Sequence, residues 1–140
     1  MEGVILTPLK KIYHPKGDIY YGMKKTDAGF AGFGEAYFST VKSGQIKGWN
    51  RHKRMTLNLI VPIGTVKFVV KSDRNKKLNN NLLEVELSLN NYKRLTIPPG
   101  LWVGFQCTCE YDSLILNIAD MEHDPNEIDY LDLEQINYNW

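Results

Sequence analysis

Apolar and polar residues alternate with a period of two along most of the chain, which is the pattern of β-strands that bury one face. Five segments carry this strand-like pattern: "GVILTPLKKI" (3–12), "EAYFSTV" (35–41), "TVKFVVKSD" (65–73), "LLEVELS" (82–88) and "DSLILNIAD" (112–120). Turn-forming residues separate them, including Pro98-Pro99-Gly100 and a polar loop at residues 74–81. The pattern therefore predicts an all-β protein, an antiparallel sandwich or barrel.

The C-terminal region departs from this alternation. In "DPNEIDYLDLEQI" (124–136), Asp124 can cap a helix, Pro125 suits the first helical position and Glu127 follows the cap by three residues. These signals predict a short C-terminal helix over about residues 125–135, with an irregular arm packed by Tyr138 and Trp140 as the alternative for part of it. A chain of 140 residues, of which 43% are hydrophobic, fits one globular domain, so we expect a single domain over residues 1–140.

The stretch "IKGWNRHKRMTLNLIVPIG" (46–64) reads as one strand with two unlike faces. Even positions are polar and odd positions are mainly apolar: Asn50, His52, Arg54, Thr56 and Asn58 against Trp49, Met55, Leu57, Leu59 and Val61. One interpretation is that the polar face meets solvent. The other is that the polar face lines a ligand cavity inside a barrel. Periodicity alone leaves both open.

Charge and cysteine usage restrict the setting of the protein. The formal net charge is +1, and the sequence has neither a run of about 18 apolar residues nor a secretory signal. Charge alone argues neither for nor against nucleic acid. We expect a cytoplasmic protein with no nucleic-acid or membrane partner. Cys107 and Cys109 lie two residues apart, a spacing that rarely bridges on one strand face, so free thiols are predicted. The aromatic residues Trp49, Trp102 and Tyr37 are read as core residues, with stacking on a nucleotide base as the alternative.

Two stretches carry a family resemblance. "KGWN" (47–50) is similar to the Arg-Gly-Leu-His strand of the dTDP-4-keto-6-deoxyhexose 3,5-epimerases. In that family a glycine turn and a strand ending in Asp-Leu-Arg follow, and Gly64 and Arg74 match them here. "IPPGLWVGF" (97–105) resembles the Ile-Pro-Pro-Gly-Phe turn of the same family, which leads to Gly-Phe. "GWNRHK" (48–53) is also similar to the Gly-Tyr-His-Ser-His-Lys strand of the dTDP-sugar 3,4-ketoisomerases.

The resemblance extends over about residues 5–140 and implies a fold and an assembly. The fold would be a double-stranded β-helix, the cupin jelly-roll barrel. The assembly would be a homodimer formed through an exchanged or paired N-terminal strand. The partner would be a nucleotide-sugar substrate.

The chain departs from the epimerase pattern at three functional positions. Asn50 replaces the general-base histidine, the catalytic tyrosine falls close to Leu116, and Val103 replaces a further histidine. The similarity to ketoisomerases makes His52 the candidate base, because imidazole titrates near neutral pH. Removal of a proton from the carbon beside a sugar ketone would form an enediolate, and its oxygen would be stabilised by Arg54 or by a second cation on the strand.

Other residues are candidates for the same site. Lys47 is the second candidate cation, and Asp120 or Asp132 would orient the histidine. Lys16, Lys47 and Arg74 are the candidates for binding a diphosphate, with solvated surface charges as the alternative. Further substrate-binding candidates are Asn50 and Asn58.

The cupin metal pattern is incomplete in this chain. The His-x-His part of that pattern falls at Asn50 and His52. The Glu falls at Leu57 or Asn58 and the later His at Val103, so no metal and no cofactor are expected. The sequence thus predicts a metal-free epimerase or isomerase that deprotonates a nucleotide-linked 4-keto-6-deoxyhexose beside its ketone, in deoxysugar or surface-polysaccharide biosynthesis. A 3,4-ketoisomerase and a catalytically silent sugar-nucleotide-binding cupin are the alternatives.

Overall fold

The computed structural model describes residues 1–74 and 81–140. The strands of this part of the chain, β1 to β12, are Ile5–Pro8, Lys11–Ile12, Ile19–Tyr20, Glu35–Val41, Ile46–His52, Leu57–Ile63, Val66–Lys71, Leu82–Leu87, Lys93–Ile97, Trp102–Cys107, Ser113–Ala119 and Ile128–Tyr130. The all-β prediction is confirmed. The polar loop predicted at 74–81 falls mainly on residues 75–80, which lie outside the described residues.

Two five-stranded antiparallel sheets build the barrel. The first has the order β1-β9-β6-β11-β4 and the second the order β12-β5-β10-β7-β8, while β2 and β3 form a separate hairpin. Strands β4 to β7 alternate between the two sheets, which is how a double-stranded β-helix winds. Inward-facing apolar side chains fill the space between the sheets, among them Val41, Val61, Val66, Phe68, Leu87, Leu95 and Ile97.

The predicted single strand over residues 46–64 is wrong, because the chain turns at residues 53–56 and continues as β6 in the opposite sheet. Two carboxylates hold this turn. Glu127 Oε2 accepts three consecutive backbone N–H groups, from residues 53–55, and Asp120 Oδ1 accepts the next one at 2.8 Å. Positions of equal parity in β5 and β6 therefore need not face the same side.

An irregularity inside β5 changes the parity a second time. Asn50 lies opposite Val103 of β10, but Lys47 lies opposite Phe105, so β5 contains one extra residue, as in a β-bulge. Gly48 lies in this segment with φ +154°, and a Cβ there would come within 2.9 Å of the β10 backbone. The bulge turns the odd-numbered Lys47 to the same side as the even-numbered Asn50.

The C-terminal region, which is described in full, contains no continuous helix. Single-turn 3₁₀ helices at Pro125–Glu127 and Leu133–Gln135 flank β12, which pairs with β5. The Asp124 cap is present, since its side chain accepts the Asn126 N–H at 2.9 Å. The chain nevertheless becomes extended at residue 128, because it joins the sheet edge there. The predicted helix over residues 125–135 is therefore wrong.

The last residues pack on the outer face of the second sheet. Trp49 is fully buried there in a cluster with Trp102 and Ile136, and the rings of Tyr138 and Trp140 contact it. Trp49 and Trp102 are core residues, as predicted. This outer cluster fixes β5 so that Trp49 faces outward and the neighbouring residue Asn50 faces the barrel interior.

Three further expectations concern the rest of the chain. In residues 1–74 and 81–140, no helix is long and apolar enough to cross a membrane. Cys107 and Cys109 are free thiols, as predicted. The N-terminal strand β1 pairs with β9 of its own chain, and the homodimer stays a prediction.

Candidate functional site

A cavity of about 240 Å³ opens between the two sheets. Apolar side chains of β6, β7, β10 and β11 form part of its wall, and its polar lining comes from Tyr37, Ser39, Lys47, Asn50, His52 and Asn117. A wider outer recess shares Tyr37, Asn50 and His52 with this cavity. These three residues therefore lie where the recess meets the inner cavity.

His52 is held at this junction by a buried carboxylate. Its Nδ1 forms a hydrogen bond with Glu127 Oε1. The side chains of His52 and Glu127 are only 11% and 1% exposed. With Nδ1 donating its proton to the carboxylate, Nε2 is the nitrogen left to accept a proton from a ligand. The carboxylate fixes the ring and stabilises the imidazolium that such a transfer creates.

Glu127 is kept ionised by its surroundings. Burial raises the pKa of its carboxyl, but the hydrogen bond from His52 and the backbone N–H groups of Arg54 and Met55 outweigh burial, so the net pKa lies below its ordinary value. Its Oε1 faces His52 while Oε2 holds the turn after β5. One carboxylate thus orients the histidine and fixes the backbone that carries it.

Tyr37 brings a hydroxyl to the opposite wall. It lies on β4 of the first sheet, is 41% exposed and lines both the cavity and the outer recess. Its Oη accepts a hydrogen bond from Asn117 Nδ2 at 3.0 Å. The interpretation of Tyr37 as a core residue is wrong, because β4 is an edge strand that leaves the ring at the cavity entrance.

Lys47 is the cation of the inner cavity. The bulge in β5 turns it inward, and its Nζ donates to the Thr40 carbonyl oxygen at 2.6 Å. Asn50, the other predicted substrate-binding residue of β5, lines the cavity between Lys47 and His52. Three predicted residues of this strand are therefore brought together.

Three predicted catalytic residues have other partners. Arg54 is 63% exposed and its Nη2 binds Asp124 at 2.8 Å, so it points away from the cavity. Asp120 accepts a backbone N–H of the turn after β5. Asp132 is exposed, and its N–H donates to the Gln135 side chain. Neither aspartate is the carboxylate on His52, because the antiparallel pairing of β12 with β5 brings Glu127 there instead.

The remaining predicted residues lie elsewhere. Asn58 is 3% exposed and faces the outer side of the first sheet, where Nδ2 donates to the Gly29 carbonyl oxygen at 3.0 Å. Lys16 is exposed in the turn between β2 and β3. Arg74 is exposed and its guanidinium lies against Gly100 in the turn before β10. None of the three belongs to the cavity lining.

Sequence reasoning missed the carboxylate that holds His52 and the place of Tyr37 in the cavity wall. Glu127 was taken only as a helix-capping signal, and Tyr37 as a core residue or as a ring that stacks on a nucleotide base. The signal for Tyr37 was its place on an alternating strand, but the signal for Glu127 was absent, because its contact with His52 joins residues 75 apart. At the other departures from the epimerase pattern, Val103 lines the cavity, and Asn117 rather than Leu116 faces it from β11.

Within the two described ranges, no three His, Cys, Asp or Glu side chains are grouped so that they could hold a metal ion.

The comparisons with known proteins define the class first. The paired sheets and the cavity between them are those of a cupin-like barrel, the fold also found in the dTDP-4-dehydrorhamnose 3,5-epimerase from Sulfolobus tokodaii. That structure has a TM-score of 0.83 and 21% identity, and the similarity covers 99% of this chain and 82% of the other. The predicted fold class is confirmed.

The family follows from the sequence. Residues 2–137 match the family described as "FdtA: WxcM-like, C-terminal", so the chain belongs to this family. A search of curated proteins gave no match. A dTDP sugar isomerase from Desulfovibrio desulfuricans G20 is 33% identical, with a TM-score of 0.91 over 99% of this chain and 91% of that one. The sugar 3,4-ketoisomerase QdtA from Thermoanaerobacterium thermosaccharolyticum, in complex with TDP, is 22% identical, with a TM-score of 0.76 over 91% and 88%.

Proposed function

We propose that this protein is an isomerase that moves a proton beside the ketone of a nucleotide-linked 4-keto-6-deoxyhexose, with epimerisation at C3 or C5 as its reaction. The observation that carries the proposal is the His52–Glu127 pair at the junction of the outer recess and the inner cavity. The substrate class is supported by the dTDP sugar isomerase that shares 33% of its residues with this chain.

His52 performs the first step. Its Nε2 removes the proton from the carbon beside the ketone, the electron pair of that C–H bond forms a carbon–carbon double bond, and the carbonyl electrons move to oxygen. The product is an enolate and an imidazolium. Glu127 stabilises the imidazolium because its carboxylate is already ionised and hydrogen-bonded to Nδ1.

Tyr37 performs the second step. Its hydroxyl donates a proton to the same carbon, the double-bond electrons form the new C–H bond, and the ketone is restored. Tyr37 belongs to β4 and His52 to β5, which lie in opposite sheets, so the proton can leave from one face and return on the other. This arrangement supports inversion of the carbon centre.

The cationic Lys47 stabilises the enolate oxygen, because its side chain belongs to the lining of the same cavity. A base, an acid and a cation are thus supplied by the chain itself, and the proposed reaction is metal-free. The exposed cations Lys16 and Arg74 stay candidates for the diphosphate.

Two other functions have specific support. A 3,4-ketoisomerase is favoured by "GWNRHK" (48–53). In that reaction His52 would remove the C3 proton, a proton would pass from the C3 hydroxyl to the C4 oxygen, and protonation at C4 would leave the ketone at C3. A silent sugar-nucleotide-binding module is favoured by Asn50 and Val103, which put uncharged groups where the epimerases have histidines.

Incubation with dTDP-4-keto-6-deoxyglucose in heavy water distinguishes the three functions. An epimerase incorporates deuterium at C3 or C5 with inversion, which NMR detects, and a ketoisomerase yields a 3-keto sugar. Binding without deuterium uptake or product would leave the silent module and contradict the proposal.

Tyr37→Phe sharpens this experiment. Under the epimerase proposal it removes the acid but leaves the base, so the recovered substrate should gain deuterium while inversion falls by roughly 10²-fold or more. A variant that inverts its substrate at the wild-type rate would exclude Tyr37 as the acid.

A further inference from the structure

Asn117 connects the cavity with the interior of the first sheet. It lies on β11 between β4 and β6, is 2% exposed, and pairs with Tyr37 on one side and with Leu59 on the other. A buried amide needs partners for both its oxygen and its nitrogen. Asn117 is polar at a strand position where an aliphatic side chain would be the ordinary occupant.

The oxygen of the Asn117 amide is committed to the backbone. Its Oδ1 accepts the N–H of Asn58 at 3.0 Å. Because a main-chain N–H can only donate, this contact determines which end of the amide is oxygen and which is nitrogen. The nitrogen must therefore point in the other direction, toward β4.

The donor of that bond is itself held from the outer side of the sheet. Asn58 Oδ1 accepts the Thr96 hydroxyl at 2.6 Å, and its Nδ2 donates to Gly29. These two bonds fix β6 at Asn58, and β6 in turn fixes the amide of Asn117. Asn58, predicted from the sequence to bind substrate, thus acts on the cavity only through the sheet.

The Asn117 nitrogen donates to Tyr37 Oη at 3.0 Å. The phenol oxygen is an acceptor in this bond, so its own proton is left for a group in the cavity. When that proton is given away, the phenolate oxygen still receives the Asn117 N–H, which is a stronger bond to the anion than to the neutral hydroxyl.

We infer that Asn117 is a positioning residue that aims the Tyr37 hydroxyl into the cavity and stabilises the phenolate formed when Tyr37 donates its proton. This inference rests on the proposed function, in which Tyr37 is the acid. The two proposed catalytic residues then have opposite kinds of support. The carboxylate on His52 favours the positively charged imidazolium, whereas the amide N–H on Tyr37 favours the negatively charged phenolate.

Asn117→Asp and Asn117→Leu test this role. Aspartate keeps an acceptor for the Asn58 N–H but loses the N–H donor, and leucine is a neutral side chain of similar size. Both variants should lower kcat for inversion by about 10- to 100-fold with little change in KM, the loss expected for one hydrogen bond to a developing charge. In heavy water the recovered substrate should still gain deuterium, because His52 is untouched.

A double-mutant cycle separates positioning from damage to the fold. In a Tyr37→Phe background, Asn117→Asp should lower kcat by less than about 2-fold, because Asn117 acts through the phenol that this background lacks. The control Leu116→Val changes the neighbour of Asn117 on the opposite face of β11, and it should leave kcat within about 2-fold of wild type.

The outcomes that overturn the inference differ from those that overturn the function. If wild type inverts its substrate but Asn117→Asp lowers kcat by the same factor in both backgrounds, the role of Asn117 is structural. The inference then fails while the proposed function stands. If wild type neither takes up deuterium nor forms product, the proposed function fails, and the role assigned to Asn117 fails with it.

Discussion

Two neighbouring residues of β5 each pair with an acidic residue, in very different surroundings. Arg51 binds Asp129 at 2.9 Å, and their side chains are 32% and 31% exposed. His52 binds Glu127, and their side chains are 11% and 1% exposed. Asp129 lies opposite Arg51 on β12, whereas Glu127 comes from the 3₁₀ turn before β12.

The difference shows how two strands can build one pair for the surface and one for the cavity. Water screens the Arg51–Asp129 pair, and Arg51 has further contacts with Asp73 and with the Trp102 ring. The His52–Glu127 pair is shielded from water, so each partner depends on the other and on the backbone around it. We therefore expect large effects from changes at the inner pair and small effects from changes at the outer pair.

Removing the imidazole should have the largest effect. His52→Asn is expected to lower deuterium uptake by about 10³-fold or more, because an amide cannot take up a proton near neutral pH. Uptake is measured by NMR or mass spectrometry with dTDP-4-keto-6-deoxyglucose in heavy water. His14→Asn, which changes an exposed histidine of the β2–β3 turn, is the matched control. Uptake at the wild-type rate in His52→Asn would exclude this residue as the base.

Neutralising the inner carboxylate should have the next largest effect. Glu127→Gln keeps the side-chain size but removes the charge that stabilises the imidazolium, so kcat should fall by about 10- to 100-fold. The variant also weakens the bonds to three backbone N–H groups, and the free energy of unfolding should fall by roughly 2 to 4 kcal/mol. Urea unfolding measures the second effect, and an unchanged unfolding midpoint would contradict it.

The acid sensitivity of the fold should change in the same variant. The folded-state pKa of Glu127 lies below its ordinary value, so the unfolded chain binds more protons and the wild type loses stability as the pH falls. The contribution of Glu127 is complete above the ordinary glutamate pKa, about 4.3, and disappears as the pH falls through the lower folded-state value. Glu127→Gln should therefore show a smaller decrease in unfolding free energy between pH 6 and pH 3, measured in urea.

Part of that acid sensitivity should remain in Glu127→Gln. The hydrogen bond from Arg51 lowers the pKa of Asp129, and a backbone N–H, from Lys24, lowers that of Asp27. Both carboxyls still take up protons on unfolding in acid. Identical pH profiles of wild type and variant would mean that Glu127 is not held ionised in the fold.

Breaking the outer pair should have the smallest effect. Asp129→Asn removes a screened charge that Arg51 can replace with Asp73, so Tm should stay within about 2 °C of wild type. kcat should not change, because Asp129 does not line the cavity. A fall in kcat as large as that of Glu127→Gln would show that the two pairs are coupled through β5.

The sequence predicted most of the strands well, because the alternation that marks a strand involves residues close together in the chain. The alternation of Val66, Phe68 and Val70 with lysines is a local signal, and β7 spans Val66–Lys71 as the signal requires. The candidate site was predicted only in part. His52 and Asn50 followed from a motif, but their orientation depends on the packing of Trp49 against the C-terminal tail.

Strand parity alone would put three residues of the site region on the wrong face. The bulge at Gly48 turns Lys47 inward, and the turn at residues 53–56 sends Arg54 outward. Continued strand parity would put Glu127 on the same face as Asp129, yet the 3₁₀ turn directs it to His52. A single extra residue or one helical turn reverses a face, and its effect cannot be read from a period of two.

By itself, then, the sequence determined the all-β class, the barrel resemblance and the histidine on β5, because these rest on local periodicity and on a short motif. Only the tertiary structure decided which carboxylate holds that histidine, which cation faces the cavity and which hydroxyl lies across the cavity from the histidine. Those choices join residues of different strands, and they depend on bulges and turns whose contacts lie far apart in the chain.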